Sequence, residues 1–176
     1  MRNVWLTYIY YAITAVSVVV LFLSVKFLLG GYDEIVIGPS EEINYVIAGK
    51  YVDENWSEDE IDTFKGELSE KTSSSTKMVE VVFFPDSISG VASTSFLGIA
   101  MQGNIVTIPA GYEVIDIYEK EGLETTLMMH PLVRPSITDI RNQIEAKAET
   151  NDKLVDDRLL VFEGQSDSLT IVSGVK

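Results

Sequence analysis

The chain opens on VWLTYIYYAITAVSVVVLFLSV, Val4 to Val25, 22 residues without a charge, and no later apolar stretch approaches that length. A helix rising ~1.5 Å per residue over such a run covers the ~30 Å hydrocarbon core of a bilayer, so the pattern predicts a transmembrane helix over about 4–25. The run is too long for the apolar centre of a cleavable signal peptide, and it leads into Lys26, Phe27, Leu28 and Leu29 rather than a small-residue cleavage site. Gly30 and Gly31 then read as a flexible joint, which makes residues 1–31 a membrane anchor and 32–176 a water-soluble domain.

Beyond the joint the pattern breaks into short elements. After an acidic, Pro-containing lead (Asp33 to Glu42), INYVIAGKYV at Ile43 to Val52 is aromatic and β-branched and predicts a strand. Ser57 with Glu60 three residues on forms a capping box, Trp56 and Ile61 a hydrophobic staple, and Ile61, Phe64 and Leu68 recur at helical spacing through to Lys71. A Ser-Ser-Ser-Thr run (Ser73 to Thr76) stops that helix. Strands follow at Met78 to Phe84 and Thr94 to Met101, with Pro85, Asp86, Ser89 and Gly90 as the turn between them.

The second half repeats the order. Tyr112 to Glu119 predicts a strand, and Pro135 opens a helix with Ile137, Ile140, Ile144 and Ala148 on one face. Arg158 to Glu163 and Ser168 to Val175 predict a hairpin across Gly164 to Asp167. Val82-Phe83-Phe84-Pro85-Asp86-Ser87 in the first half stands where Val161-Phe162-Glu163-Gly164-Gln165-Ser166 stands in the second. The expected fold is α+β, a duplicated β-α-β-β domain of pseudo-twofold layout (unit one about 43–101, unit two about 105–175), with helices on one face of antiparallel strands and a groove where the units meet.

Charge narrows the partners. Setting aside Arg2 and Lys26 leaves 11 basic against 27 acidic residues, a net charge of about −16 for the soluble part. Such a surface repels phosphate backbones and anionic headgroups, which excludes nucleic acid and polybasic membrane docking and favours cationic partners. The absence of cysteine excludes a lipoprotein anchor, palmitoylation and a structural disulfide. Arg2 and Lys26 nearly balance across the span, and the terminal amino group with the aromatic belt Trp5, Tyr8, Tyr10 and Tyr11 tips the balance towards the domain lying outside.

Thr107-Ile108-Pro109-Ala110-Gly111 before the fourth strand and Arg158-Leu-Leu-Val-Phe-Glu163 in the fifth, set in that element order, resemble the SOUL/GyrI-like small-molecule-binding family, most clearly over residues 105–171. Phe162 stands where the family usually has Tyr, and the family's Gly-Pro-Tyr is missing around Lys120 to Leu123. The span, Phe27-Leu-Leu-Gly-Gly31 and Ile37-Gly-Pro-Ser40 are similar to the family's membrane-anchored branch, which includes a vertebrate ER-phagy receptor. That receptor's disordered tail has no counterpart after the last strand, so no autophagy role is carried over.

The resemblance implies a groove whose acidic residue meets cationic or polar ligands, and the matching position is Glu163. Strand alternation puts Glu163 on a face with Leu159 and Val161, where an unpaired carboxylate is costly, although a strand-end position beside Gly164 also suits a water-exposed side chain. Tyr45, Tyr51, Tyr112 and Tyr118 are the candidate aromatic walls of a ligand site, since a cation over an aromatic face gains ~0.5 to 2 kcal/mol. His130 is the sole histidine, with no second metal ligand at useful spacing and no Gly-x-Ser-x-Gly elbow, so no metal, cofactor or catalytic triad is expected. Glu58-Asp59-Glu60 is what a helix macrodipole favours in its first turn. Three functions are compatible with these features: a membrane-tethered module binding a small organic, cationic ligand, a hydrolase of a reactive small molecule using Glu163, and an adaptor docking a basic protein partner.

Overall fold

The uncharged N-terminal run forms one helix, α1 (Arg2–Leu28), in the computed structural model, which describes residues 2–31, 33–52, 55–72, 76–84, 94–101, 110–164 and 168–176. Its stretch Tyr8–Leu28, 21 residues of mean hydropathy 2.1 with none of it buried, is long and apolar enough to cross a membrane. The helix continues through Lys26 because its stop signal comes later. Gly30, at φ +78°, takes the left-handed position, its N–H donates to the Phe27 carbonyl at 3.1 Å, and the Gly31 N–H donates to the Lys26 carbonyl at 2.9 Å. This is a Schellman cap, which satisfies carbonyls that the helix end would otherwise orphan. Gly30 and Gly31 thus form a hydrogen-bonded stop to the helix.

The chain forms two compact units, Met1–Glu34 with Met128–Arg134, and Ile35–Leu127 with Pro135–Lys176. The second is α+β. Its strands are β1 (Gly38–Ser40), β2 (Ile43–Val52), β3 (Thr76–Phe83), β4 (Ser95–Met101), β5 (Glu113–Glu119), β6 (Gly122–Leu127), β7 (Arg158–Glu163) and β8 (Leu169–Gly174), with α2 (Glu58–Lys71) after β2 and α3 (Ile137–Glu149) before β7. The first expected run, strand, helix, strand, strand, is present as β2-α2-β3-β4. The second contains an extra strand, β6, and the edge is extended by β1. The two halves do not form separate sheets: all eight strands make one antiparallel sheet in the order β1-β6-β8-β7-β3-β4-β2-β5. The expected turn at Pro85 to Gly90, the Thr107-Ile108-Pro109 lead-in, Ser73 to Ser75 and the hairpin tip Gln165 to Asp167 lie outside the described residues.

The strand order forces the sheet to curl. In a flat sheet β5 and β6 would lie six strand spacings apart, about 29 Å at ~4.8 Å each. Only Lys120 and Glu121 connect them, and three Cα steps reach at most ~11 Å. The two edges must therefore approach each other. Side chains close the seam: a Cβ on Gly122 would lie 2.8 Å from the Ile43 side chain, and one on Gly174 would lie 2.6 Å from that of Glu119. The Val175 N–H donates to the Glu121 carbonyl at 3.1 Å. Arg158 bridges the same seam, donating from Nη2 to Glu119 at 3.1 Å and from Nε to Asp156 at 2.7 Å, while Lys176 donates to the other Asp156 oxygen at 2.9 Å.

Alternation then sorts the strands into two faces. Ile43, Ile47, Val79, Val81, Phe96, Ala100, Ile117, Leu160, Phe162 and Val172 form the inner core. On the outer face Leu97 and Ile99 pack against Phe64 and Leu68 of α2, with Trp56 and Ile61 alongside as the staple places them. The Ser57–Glu60 capping box forms, and α3 has an equivalent one between Ser136 and Asp139. Ile140, Ile144 and Ala148 are buried on α3, as are the outward Leu159, Val161 and Ile171, so this half of the outer face is covered as well. The sharpest approach is between β2 and β4, where Gly49 opposes Gly98. A Cβ on Gly49 would overlap the Leu97 carbonyl oxygen, and one on Gly98 would stand 2.6 Å from that of Ala48.

Two outcomes follow for unfolding of the full chain in detergent, monitored by circular dichroism. Gly49→Ala should lose about 3 kcal/mol through overpacking, whereas Gly66→Ala, mid-helix on α2 with open space around it, should gain about 1 kcal/mol. Equal effects would contradict the close β2–β4 approach. Burial pushes the Asp156 carboxyl up, but the hydrogen bonds from Lys176 and Arg158 outweigh it and hold the group below its ordinary 3.8. The seam's contribution should therefore be complete above pH 3.8 and be lost as the pH falls below that value. Asp156→Asn, replacing a side chain only 5% exposed, should cost about 3 kcal/mol at neutral pH and flatten this acid limb.

Candidate functional site

At one end of the curled sheet the described residues do not fill the inner face. A cavity of about 830 Å³ opens there, with Ile43, Tyr45, Phe162 and Val172 on its apolar side. The Tyr45 and Phe162 rings meet with centroids 5.2 Å apart and planes tilted by 51°, giving a continuous aromatic wall. Both come from core-facing strand positions, which fixes them where β2 and β7 reach the mouth.

The polar lining is strongly acidic. Glu41 and Glu42 come from the β1–β2 link, Glu124 from β6 and Glu163 from the end of β7, against Lys77 of β3 as the cation on the inward side. The Lys77 ammonium stands 6.0 Å from the Phe162 ring centroid, at the outer limit of a cation–π contact. Thr170 completes the β8 side, and its hydroxyl lies 3.2 Å from that of Thr126. On the α2 side the cavity spills over the sheet end to Ser69, Thr72 and Met78.

Glu163 reaches this cavity from the outward side of β7. Its side chain is 49% exposed and accepts a 3.1 Å ion pair from Lys65 of α2, so it is neither fully buried nor unpaired. An ion pair this exposed is worth ~0 to 1 kcal/mol, and its partner is easily exchanged.

Of the four candidate tyrosines, only Tyr45 lines the cavity with Glu163. Tyr51 packs edge-on against Phe96 at 5.0 Å and lies 6.1 Å from Phe83, which closes another part of the inner core. Tyr112 packs on Phe64 at 5.8 Å on the outer face, where its hydroxyl accepts a 2.8 Å bond from Lys71 and raises the pKa of that ammonium. Tyr118 faces outward from the edge strand β5 and hydrogen-bonds Glu42, which raises the pKa of its phenol. These three serve packing and the surface. Two opposite strand faces and one edge cannot converge on a single mouth.

Sequence reasoning missed Phe162, Lys77, Glu41, Glu42 and Glu124 as lining residues. The signal for Glu124 was in the letters: Leu123, Thr125 and Leu127 alternate with Glu124 and Thr126 in a period-two pattern, and the first set is buried. His130 lies in the other unit, where its Nδ1 accepts from the Leu132 N–H at 3.3 Å at the start of a short 3-10 turn. Among the described residues no group of His, Asp and Glu is placed to hold a metal ion.

No protein-family model matches the chain, and no curated protein matches it. Among solved structures it is similar to an integron cassette protein from the mobile metagenome of Vibrio cholerae, at 8% identity over 80% of this chain and 95% of that one, with a TM-score of 0.46. It is also similar to a hydrolase from Listeria innocua, at 9% identity over 81% of this chain and 92% of that one, with a TM-score of 0.49. An uncharacterized conserved protein from Listeria innocua shares 10% identity over the same shares of the two chains, with a TM-score of 0.46.

Proposed function

We propose that this chain is a membrane-tethered small-molecule-binding module of the GyrI-like kind, and that its ligand is an organic cation held at the open end of the curled sheet. The cavity carries the reading: an aromatic wall of Tyr45 and Phe162 faces Glu41, Glu42, Glu124 and Glu163 across about 830 Å³, a volume suited to a small organic molecule. A cation against that wall gains ~0.5 to 2 kcal/mol from the rings and is attracted by the surrounding carboxylates. Lys77 occupies the cation position when no ligand is bound, and Lys65 covers Glu163.

Two features support the family reading. Exchanging β1 with β5, β2 with β6, β3 with β7 and β4 with β8 turns the strand order into its own reverse, as a duplication about the central β3–β7 pair would. In that duplication β6, not the 112–119 strand, is the counterpart of β2. The tether is α1, whose apolar length suits a bilayer span and would concentrate the domain at a membrane surface. Binding is preferred to hydrolysis because that role calls for a buried Glu163, whereas the side chain is 49% exposed and ion-paired with Lys65.

Fluorescence titration of the full chain in detergent, with a cationic aromatic dye and its neutral isostere, tests this. The cation should bind saturably and more tightly than the isostere. Tyr45→Leu should weaken it about tenfold, and Glu163→Gln by a smaller factor of about three, because Lys65 already neutralises part of that charge. Lys77→Gln should tighten binding. Equal affinity for both dyes, unaltered by the three substitutions, would refute the site.

A further inference from the structure

The unit that holds α1 also holds Met128–Arg134, and the His130 N–H donates to the Leu29 carbonyl at 3.1 Å, just past the end of the apolar helix. Between the two lies a cleft of about 390 Å³. Phe22, Val25 and Leu29 form one apolar side and Leu132 and Val133 the other, while Lys26 and Arg134 supply two positive charges and, among the described residues, no acid lines it. In a chain with so large an acidic excess, a cleft lined by two cations and no carboxylate is exceptional.

Arg134 sharpens the chemistry. Its Nε donates to the Met129 carbonyl at 3.0 Å, which fixes the guanidinium, yet its buried Nη2 has no hydrogen-bond partner among the described residues. A buried charged donor without an acceptor is costly, and an anionic oxygen is the group that relieves it. Leu132, 82% exposed, presents its apolar side chain at the same cleft. Apolar residues exposed next to paired cations at the end of a bilayer-length helix match the layered chemistry of a lipid, acyl chain below and phosphate above.

We propose that this cleft is a binding site for one glycerophospholipid of the bilayer: its phosphodiester is held by Arg134 with Lys26, an acyl chain lies along Phe22, Val25 and Leu29, and Leu132 dips into the interface. The site rests on the reading of α1 as a membrane anchor, and the test separates the two. The chain contains no cysteine, so Leu132→Cys and Val20→Cys each accept a single environment-sensitive dye. The full chain is reconstituted in phosphatidylcholine vesicles with brominated acyl chains, and phospholipid retained in detergent is counted by native mass spectrometry. The proposal expects quenching at both positions and a phospholipid retained by the wild type, with retention about tenfold weaker in Arg134→Gln. Quenching at Val20 alone, or retention unaltered by Arg134→Gln, overturns the lipid site and leaves the anchor standing. Absence of quenching at Val20 overturns both.

Discussion

The sheet depends on the two-residue link Lys120-Glu121, because it joins β5 at one edge to β6, which is next to the other edge. A link of ~11 Å cannot cross a flat sheet, so the sheet must curl until its edges meet. Several otherwise unrelated features are consequences of that requirement. Gly49 and Gly98 permit the close approach of β2 and β4, Gly122 and Gly174 leave room at the seam, and Arg158 draws Glu119 and Asp156 together across it. Curling also gives the sheet an inside. Without it the inner cluster around Phe96 and Ile117 would be one open face, and Tyr45 and Phe162 would have no opposing wall.

The cavity is where closure stops short. The middle of the curl is filled by large aliphatic and aromatic side chains, but at the β1 end the inward positions turn polar: Lys77, Glu124 and Thr170 stand where the core would otherwise continue. Closure and site are thus coupled. The seam brings β6, which carries Glu124, towards the side of the sheet where β2 carries Tyr45, and the proposed positive ligand would suit the acidic excess at the mouth. Lys65 and Lys77 are the internal cations that such a ligand would displace or share with, and both are tied by weak, solvent-accessible contacts.

Local structure was legible in the sequence wherever a single physical rule governed it. The uncharged run gave the first helix, the capping box at Ser57 gave the start of α2, and short apolar runs gave β2 and β7 at their observed ends. Edge elements were less legible. β1 is three residues long and contains Pro39, which only an edge strand tolerates, and β6 has a polar Thr125 in the middle of its buried, outward-packing set. Because β6 went unread, the second half was expected to contain one strand fewer than it has.

The site followed the same division. Glu163 was singled out through the family resemblance and Tyr45 as one of four tyrosines, and the placement of Tyr51, Tyr112 and Tyr118 away from the cavity depends on which strand face meets which neighbour, which alternation along one strand does not encode. The central claim is that the mouth of the curled sheet holds an organic cation. The most direct measurement is photolabelling of the full chain with a cationic diazirine, followed by peptide mapping with and without excess unlabelled cation. The account predicts competable labelling on β2 around Tyr45 and on β7 around Phe162; labelling elsewhere, or labelling there that excess cation leaves unchanged, would contradict it.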